Sequence, residues 1–179
     1  MIKMTDIAPD IHNLSANIID KHNQTTVIET RVQDTKKNGI MHDKALSKEE
    51  FMKLSNIQLN QISQVFIESL SKLNVEKVQE AIKNLVSTYN IVLFMKGDND
   101  FPACGFSSRV VDLLERLKVP FVGINILDSE QVRSGVKVFS NWPTVPQLYV
   151  DGNFIGGCDI IIEMHKSGKL KDLLEGYIN

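Results

Sequence analysis

The chain has few cysteines, no excess of charge of one sign and no long apolar run. Its 179 residues include two cysteines, 20 basic and 22 acidic side chains, for a formal net charge of −2 at neutral pH. Two cysteines do not make a disulfide framework, which excludes a small secreted fold held together by disulfides. Near-neutral charge gives no general attraction to nucleic acid or anionic lipid, and no segment approaches the ~18 consecutive apolar residues of a membrane span. The composition predicts a soluble protein of a reducing intracellular compartment.

Aromatic residues are absent, and glycine is scarce, in the first quarter of the chain. All 12 aromatic residues lie at or beyond Phe51, and nine of the ten glycines lie at or beyond Gly97. A segment with so little apolar surface does not offset the entropy lost on ordering it, so residues 1–46 are predicted to be a disordered tail. The tail has several acidic residues and no hydrophobic signal core, so it shows no clear targeting sequence. Cytosol and mitochondrion both stay open as locations.

A helical pattern begins at Ser47. Ser47 and Glu50 form an S-x-x-E capping box, and apolar residues then recur every three or four positions as far as Leu73. This spacing predicts one amphipathic helix over residues 47–73. Two roles are open for its apolar stripe, which either docks on the domain that follows or binds another protein.

Residues 74–179 alternate between helix and strand patterns. The predicted order is helix, strand, helix, strand, helix, strand, strand, helix. The first strand, 91–95, is apolar throughout, as in a strand covered on both faces, and the last two strands flank the hairpin signal Asp151-Gly152. A βαβ unit followed by a hairpin predicts an α/β fold with a small mixed four-stranded sheet flanked by helices.

Cys104 is the strongest candidate for chemistry. It follows the first predicted strand after a short loop, and a predicted helix begins at Gly105. Sites in open α/β sheets form beyond the carboxyl ends of strands, and a helix start offers unpaired N–H groups and a positive dipole end. Lys96 adds a nearby cation. The pKa of Cys104 is therefore predicted to fall, which makes its sulfur a nucleophile or a metal ligand.

The chain lacks the second cysteine of a dithiol motif. Three positions after Cys104, where a dithiol oxidoreductase carries that cysteine, the residue is Ser107, and a hydroxyl does not close a disulfide. Cys158 is the other sulfur. It is either a partner for Cys104 or a small residue packed at a helix start, and the sequence leaves both possibilities open.

Two further segments supply binding groups. If the Val145–Pro146 bond is cis, the backbone of Val145 turns outward and is able to pair with an extended peptide. The segment Gly156-Gly157-Cys158-Asp159 opens the last helix, where N–H groups suit a carboxylate and Asp159 suits an ammonium. With Lys96 and Arg133 as cations, the set suits a small thiol peptide with two carboxylates and one amine. The alternatives are a solvated Arg133 and an ordinary N-cap at Asp159.

These motifs together resemble a known family. Lys96-Gly97, Cys104-Gly105-Phe106-Ser107, the segment 142–147 and Gly156-Gly157-Cys158-Asp159 closely resemble, in order and spacing, the monothiol glutaredoxins of the CGFS class over roughly residues 75–176. The resemblance implies a thioredoxin fold and non-covalent glutathione binding. It also implies a homodimer that holds a bridging 2Fe-2S cluster through one cysteine per protomer and two glutathione thiolates. Iron–sulfur acceptor proteins and a BolA-like protein are the implied partners.

The resemblance also implies roles for individual residues. Cys104 becomes the redox-active cysteine and the cluster ligand, Lys96 and Arg133 bind a glutathione carboxylate, and Phe106 lines the site. The implied contacts to the cysteinyl backbone of glutathione come from Thr144, Val145 and Pro146. The implied contacts to its γ-glutamyl end come from Gly157, Cys158 and Asp159.

One segment is unusual for the family. Asp98-Asn99-Asp100-Phe101 precedes Pro102, and its two acids are predicted to weaken the positive potential near Cys104. The resemblance does not extend to residues 1–74.

Three functions of different class are compatible with these residues. The leading one is a cluster carrier in iron–sulfur assembly and iron and redox homeostasis, with no turnover of its own. The alternative is a glutathione-dependent thiol–disulfide oxidoreductase in which Cys104 attacks glutathionylated substrates. A third is an interaction module in which the helix at 48–73 recruits a partner.

Overall fold

The chain divides into two units, Met1–Asp43 and Lys44–Asn179. The computed structural model describes residues 17–19, 25–27, 46–70 and 75–178. In the first unit, strands β1 (Asn17–Ile19) and β2 (Thr25–Val27) pair antiparallel. This ladder was not predicted, because a three-residue strand is too short to show an alternating pattern. Residue 46, the last of the predicted tail, is described with the second unit, and the tail residues other than those of β1 and β2 lie outside the described ranges.

The predicted single helix over 47–73 is wrong, because the described part of that range contains two helices. Helix α1 (Lys48–Met52) begins with the expected box, in which Glu50 N donates to Ser47 Oγ at 3.2 Å. Helix α2 (Asn56–Leu70) follows a second reciprocal pair. There Ser55 N donates to Gln58 Oε1 at 2.9 Å and Gln58 N donates to Ser55 Oγ at 3.4 Å. An N-cap residue has a non-helical backbone, so the helix does not run through Ser55, although the apolar period does.

The second unit contains a four-stranded sheet. Its strands are β3 (Ile91–Met95), β4 (Val122–Asn125), β5 (Gln147–Val150) and β6 (Asn153–Gly156). They lie in the order β4-β3-β5-β6, with β3 parallel to β4 and the other two pairings antiparallel. The prediction of a mixed four-stranded sheet in a thioredoxin-like fold is confirmed.

The helices of this unit occupy the predicted places in the chain. They are α3 (Val75–Thr88), α4 (Gly105–Arg116), α5 (Glu130–Ser140), α6 (Cys158–Lys166) and α7 (Lys169–Leu174), followed by a 3-10 turn at Glu175–Tyr177. Helix α3 packs against α5 and α4 packs against α6. Strand β3 is buried along its whole length, as its apolar run predicts. Within the described residues, none of the helices combines the length and apolar character needed to cross a lipid bilayer.

The apolar stripe of α1 and α2 docks on the domain that follows. Helix α2 lies against the edge strand β4 and against α5. Full burial of a leucine or phenylalanine side chain contributes about 1.5–3 kcal/mol, so exposing this stripe to recruit another protein would be costly. Of the two roles left open by the sequence, docking is the one the structure shows. The fully buried members of the stripe are Phe51, Leu59, Phe66 and Leu70.

Candidate functional site

The parallel strands β3 and β4 end at the same edge of the sheet, and the segments that follow them are tied together there. Gly97 N donates to Asn125 Oδ1 at 2.9 Å, which joins the two strand ends. Lys96 follows β3 directly, and its carbonyl accepts a hydrogen bond from Ala103 N at 2.9 Å. The loop between Lys96 and Ala103 is thereby closed on itself and places Cys104 at the start of α4.

Cys104 has the environment of a thiolate. It is the N-cap residue of α4, with an extended backbone at φ −154° and ψ 137°. The backbone N–H groups of Phe106 and then Ser107 lower the pKa of the Cys104 thiol, burial raises it, and the charge of Lys96 lowers it further. The net direction is downward. The predicted fall in the Cys104 pKa is confirmed, and the helix start is its main cause.

Ser107, at the position of the missing second thiol, has a structural task. Its side chain is fully buried. Its Oγ accepts a hydrogen bond from Lys96 N at 3.2 Å. The first turn of α4 is thereby tied to the end of β3. The sequence showed only that this residue is not a cysteine, because the bond joins two segments separated by the loop.

Cys158 differs from Cys104 in its surroundings. It is the first residue of α6 and is buried, and both cysteines are free. Burial raises the pKa of Cys158, and the charge of Asp159 raises it further. Cys158 is packed at a helix start, as in the second of the two alternatives above. Both sulfur-bearing residues nevertheless line one cavity.

The structure gathers every predicted site residue around that cavity. Its volume is about 640 Å³. The Val145–Pro146 peptide bond beside it is cis. Arg133 is half-exposed, and its Nε lies 3.3 Å from Glu130 Oε2. The predicted residues that line the cavity are Lys96, Cys104, Phe106, Arg133, Thr144, Val145, Pro146, Gly157, Cys158 and Asp159.

Further wall residues were not among the predicted ones. Lys137 lies four residues after Arg133 on α5, so the helical period of that segment already placed both cations on one face. Trp142 begins the segment 142–147 that carries part of the family resemblance, and no role was predicted for it. Its Nε1 is buried and has no hydrogen-bond partner in the described part of the chain. The complete set of unpredicted wall residues is Ile126, Leu127, Lys137, Trp142, Pro143 and Ile160.

Gly157 lets the backbone pass close to the turn before β5. A Cβ atom at Gly157 would lie 3.5 Å from Pro146 O and 3.2 Å from Trp142 Nε1. The distance to Trp142 Nε1 is shorter than most real Cβ contacts. The predicted use of glycine for close backbone approach fits this geometry.

The two acids of the loop before Cys104 are turned to other partners. Asp98 Oδ1 accepts hydrogen bonds from Asp100 N at 3.1 Å and Phe101 N at 2.7 Å. Asp100 Oδ2 accepts one from Asn60 Nδ2 of α2 at 3.1 Å. Neither carboxylate is among the groups that shift the pKa of Cys104 in the described part of the chain. The expected weakening of the positive potential by these acids is therefore absent from the Cys104 pKa.

The described side chains around the cavity do not make a complete metal site. Among the described residues, no group of three or more His, Cys, Asp or Glu side chains is placed to hold a metal ion. Cys104 supplies one low-pKa thiolate. A 2Fe-2S cluster takes four thiolate ligands. At such a cluster Cys104 would supply one ligand, and the other three would have to come from outside this chain.

A βαβ unit and a hairpin, with a low-pKa cysteine at a helix start beside the turn before β5, define a thiol protein of the thioredoxin-like class. The family model described as Glutaredoxin matches residues 91–155. The chloroplastic monothiol glutaredoxin-S14 of Arabidopsis thaliana is 50% identical over 99 residues, covering 55% of this chain and 57% of that protein. The mitochondrial monothiol glutaredoxin-5 of Saccharomyces cerevisiae is 47% identical over 102 residues, covering 55% of this chain and 68% of the relative. The chain belongs to the monothiol glutaredoxin family.

Solved structures show the same fold. The crystal structure of a buckwheat glutaredoxin–glutathione complex matches with a TM-score of 0.53 and 28% identity, covering 59% of this chain and 96% of that chain. This chain spans little more than half the length of the Arabidopsis relative, and nearly half of this chain lies outside that match. The two relatives belong to different organelles, so they do not assign a compartment to this chain.

Proposed function

We propose that this chain binds glutathione beside Cys104 and, as a homodimer, holds a bridging 2Fe-2S cluster that it passes to iron–sulfur acceptor proteins. A BolA-like protein is the second proposed partner, and iron and redox homeostasis is the proposed setting. The observation that carries the proposal is the single low-pKa thiolate of Cys104, at the wall of a cavity lined by cations and one carboxylate.

The charges of the cavity suit glutathione, which carries two carboxylates and one amine. Lys96, Arg133 and Lys137 supply positive charge, and Asp159 at the start of α6 supplies the negative charge for an ammonium. The volume of about 640 Å³ suits a tripeptide, and the buckwheat relative was solved with glutathione bound.

The cluster needs two chains. Cys158 is buried with a raised pKa, so each chain contributes Cys104 alone. Two Cys104 thiolates and two glutathione thiolates make the four ligands. Phe106 and Leu127 line the cavity yet are 54% and 51% exposed, and such side chains are suited to being covered by a second copy.

The test is a glutathione titration during anaerobic reconstitution, followed by visible absorbance, iron content and mass in solution. We expect Cys104→Ser to abolish the cluster and Cys158→Ser to leave most of it. Retention of iron by the Cys104 variant with loss in the Cys158 variant would reverse the ligand assignment. A cluster that forms with no small thiol present would refute the four-thiolate arrangement.

The same titration tests the charges. Arg133 and Asp159 are solvent-exposed, so each contact contributes about 0.5–1 kcal/mol, or two- to fivefold in affinity. Arg133→Ala or Asp159→Ala should therefore raise the glutathione concentration needed for half-maximal cluster formation by roughly two- to fivefold. Because two glutathiones serve each cluster, the overall assembly constant should fall by roughly five- to thirtyfold. The matched controls are Arg116→Ala and Asp172→Ala, which remove exposed charges outside the cavity. Equal requirements in test and control variants would refute the charge assignment.

A thiol–disulfide oxidoreductase is the alternative, because a low-pKa thiolate is also a nucleophile. Cys104 would attack the glutathionyl sulfur of a mixed disulfide, release the substrate thiol and become glutathionylated. A second glutathione would then attack that disulfide, which restores the Cys104 thiolate and releases glutathione disulfide. Turnover of such a substrate by the colourless monomer, at a rate that Cys104→Ser abolishes, would support this function over cluster carriage.

A further inference from the structure

The loop between Lys96 and Cys104 is anchored to β4 on one side. Asn99 Nδ2 donates to Phe121 O, just before β4, at 3.2 Å, and Gly97 pairs with Pro102 across the loop. These contacts all lie inside the range 91–155 that the glutaredoxin family model matches. This anchor therefore belongs to the glutaredoxin domain itself.

A second anchor comes from α2, which lies outside that range. Asn60 Nδ2 donates to Asp100 Oδ2 at 3.1 Å. The neighbouring residues Leu59 and Ser63 are 1% and 9% exposed, so this part of α2 is fixed by burial. A short side chain on a fixed helix holds its partner within a narrow range of positions. The helix of the extension thus reaches the loop that delivers the reactive cysteine.

Asp100 carries a negative charge four residues before Cys104, and most of the charged side chains that line the cavity beside Cys104 are positive. A carboxylate that is free to turn toward the site would oppose the Cys104 thiolate and would compete with a glutathione carboxylate for Lys96. We propose that Asn60 is a positioning residue, which holds Asp100 against α2 and so keeps the loop before Cys104 ordered and its acid away from the site. A cluster ligand and a nucleophile both need this thiolate, so the role of Asn60 does not depend on which function above is correct.

A charge swap tests the proposal. Asn60→Asp places two carboxylates opposite each other. Asp100→Asn in the same chain restores a donor–acceptor pair of reversed direction and the original net charge. The matched control is Gln64→Asp, which adds the same charge one turn further along α2 at an exposed position. Asn60→Ala, which removes the donor without adding charge, is the second variant.

Two readouts are compared on the full chain. We expect Asn60→Asp to slow the alkylation of Cys104 by iodoacetamide at pH 7 by about two- to fivefold, as repulsion between like charges releases the loop. We expect the order parameters of the Asp100 and Phe101 amides to fall from about 0.85 to below about 0.6 by NMR relaxation. Asn60→Ala should lower the order parameters with a smaller effect on alkylation. Thermal unfolding confirms that each variant is folded.

The swap decides between positioning and a general effect of charge. Recovery of both readouts in the Asn60→Asp/Asp100→Asn chain, with Gln64→Asp close to the parent, supports the proposal. Equal losses in Asn60→Asp and Gln64→Asp, failure of the double variant to recover, or no effect of Asn60→Asp would each overturn it.

Discussion

Gly123→Ala tests the packing that anchors the loop before Cys104. Gly123 is buried in β4, and a Cβ atom there would overlap Asn99 Oδ1 and lie 3.0 Å from Asn99 Cγ and 3.3 Å from Met95 Sδ. The side chain of Asn99 thus occupies the space that a side chain at Gly123 would fill. Alanine at this position is expected to displace Asn99 and to break its hydrogen bond to Phe121 O.

The size of the effect follows from three contributions. Losing the hydrogen bond and leaving the carbonyl of Phe121 unpaired costs about 1–3 kcal/mol. Asn99 Oδ1 is buried without a hydrogen-bond partner among the described residues, so its return to water offsets part of this cost. Alanine is also better than glycine in a strand interior by about 0.5–1 kcal/mol. We expect a net loss of about 1 kcal/mol, or roughly 2–4 °C in Tm.

The assay is urea unfolding of four chains: the parent, Gly123→Ala, Asn99→Ala and the double variant. Asn99→Ala removes the overlapping atoms, so adding Gly123→Ala to it should cost nothing further and should slightly stabilise the chain. An equal loss from Gly123→Ala in both backgrounds would show that Asn99 is not what fills the space. A loss above about 4 kcal/mol in both would show that the backbone of β4 has no room for a methyl group.

Three further expectations concern the two thiols, the buried hydroxyl of Tyr177 and the cap of α2. Iodoacetamide at pH 7 should modify Cys104 at least about tenfold faster than Cys158, because the pKa of Cys104 is lowered and the pKa of buried Cys158 is raised. Peptide mass mapping measures both rates, and equal rates would contradict the expectation. Tyr177→Phe should cost about 1–3 kcal/mol in urea unfolding, since the Tyr177 hydroxyl donates to Asp151 and accepts from Asn90 Nδ2 at 3.1 Å. Burial, with the bond to Asp151, raises the pKa of Tyr177 in the folded chain. The contribution of the protonated hydroxyl to the free energy of unfolding is therefore complete below the ordinary pKa of about 10 and is lost at higher pH. Above about pH 10, the parent should lose stability faster than Tyr177→Phe. Ser55→Ala should cost about 1 kcal/mol through loss of the α2 cap, whereas alanine at exposed Gln64 should cost less than about 0.5 kcal/mol.

Local and periodic signals in the sequence determined the elements and the chemistry of the central residue. The box at Ser47, the apolar run 91–95 and the Asp151-Gly152 hairpin each act within a few residues, and each lies where the sequence predicts it. The thiolate character of Cys104 was predictable for the same reason, because the N–H groups that lower its pKa belong to the next turn of its own helix.

The break between α1 and α2 shows where one local signal hid another. The S-x-x-Q box at Ser55 was present in the sequence, but the apolar period that continues across it favoured one long helix. The backbone follows the cap, because a helix has to satisfy its first N–H groups, whereas an apolar stripe tolerates a turn as long as both parts face the same core.

Tertiary structure alone decided which distant segments meet. Lys96, Arg133 and Asp159 meet around one cavity because β3 pairs with β4, α5 packs against α3 and α6 packs against α4. No local sequence pattern encodes the distances between these three residues. The bond from Asn60 to Asp100 spans 40 positions and joins the extension to the active-site loop. Side-chain type and short-range spacing determine the chemistry and the local structure of each segment. Contacts between distant segments form only when burial of the shared core fixes their positions. In this chain, that burial brings α2 to the loop before Cys104.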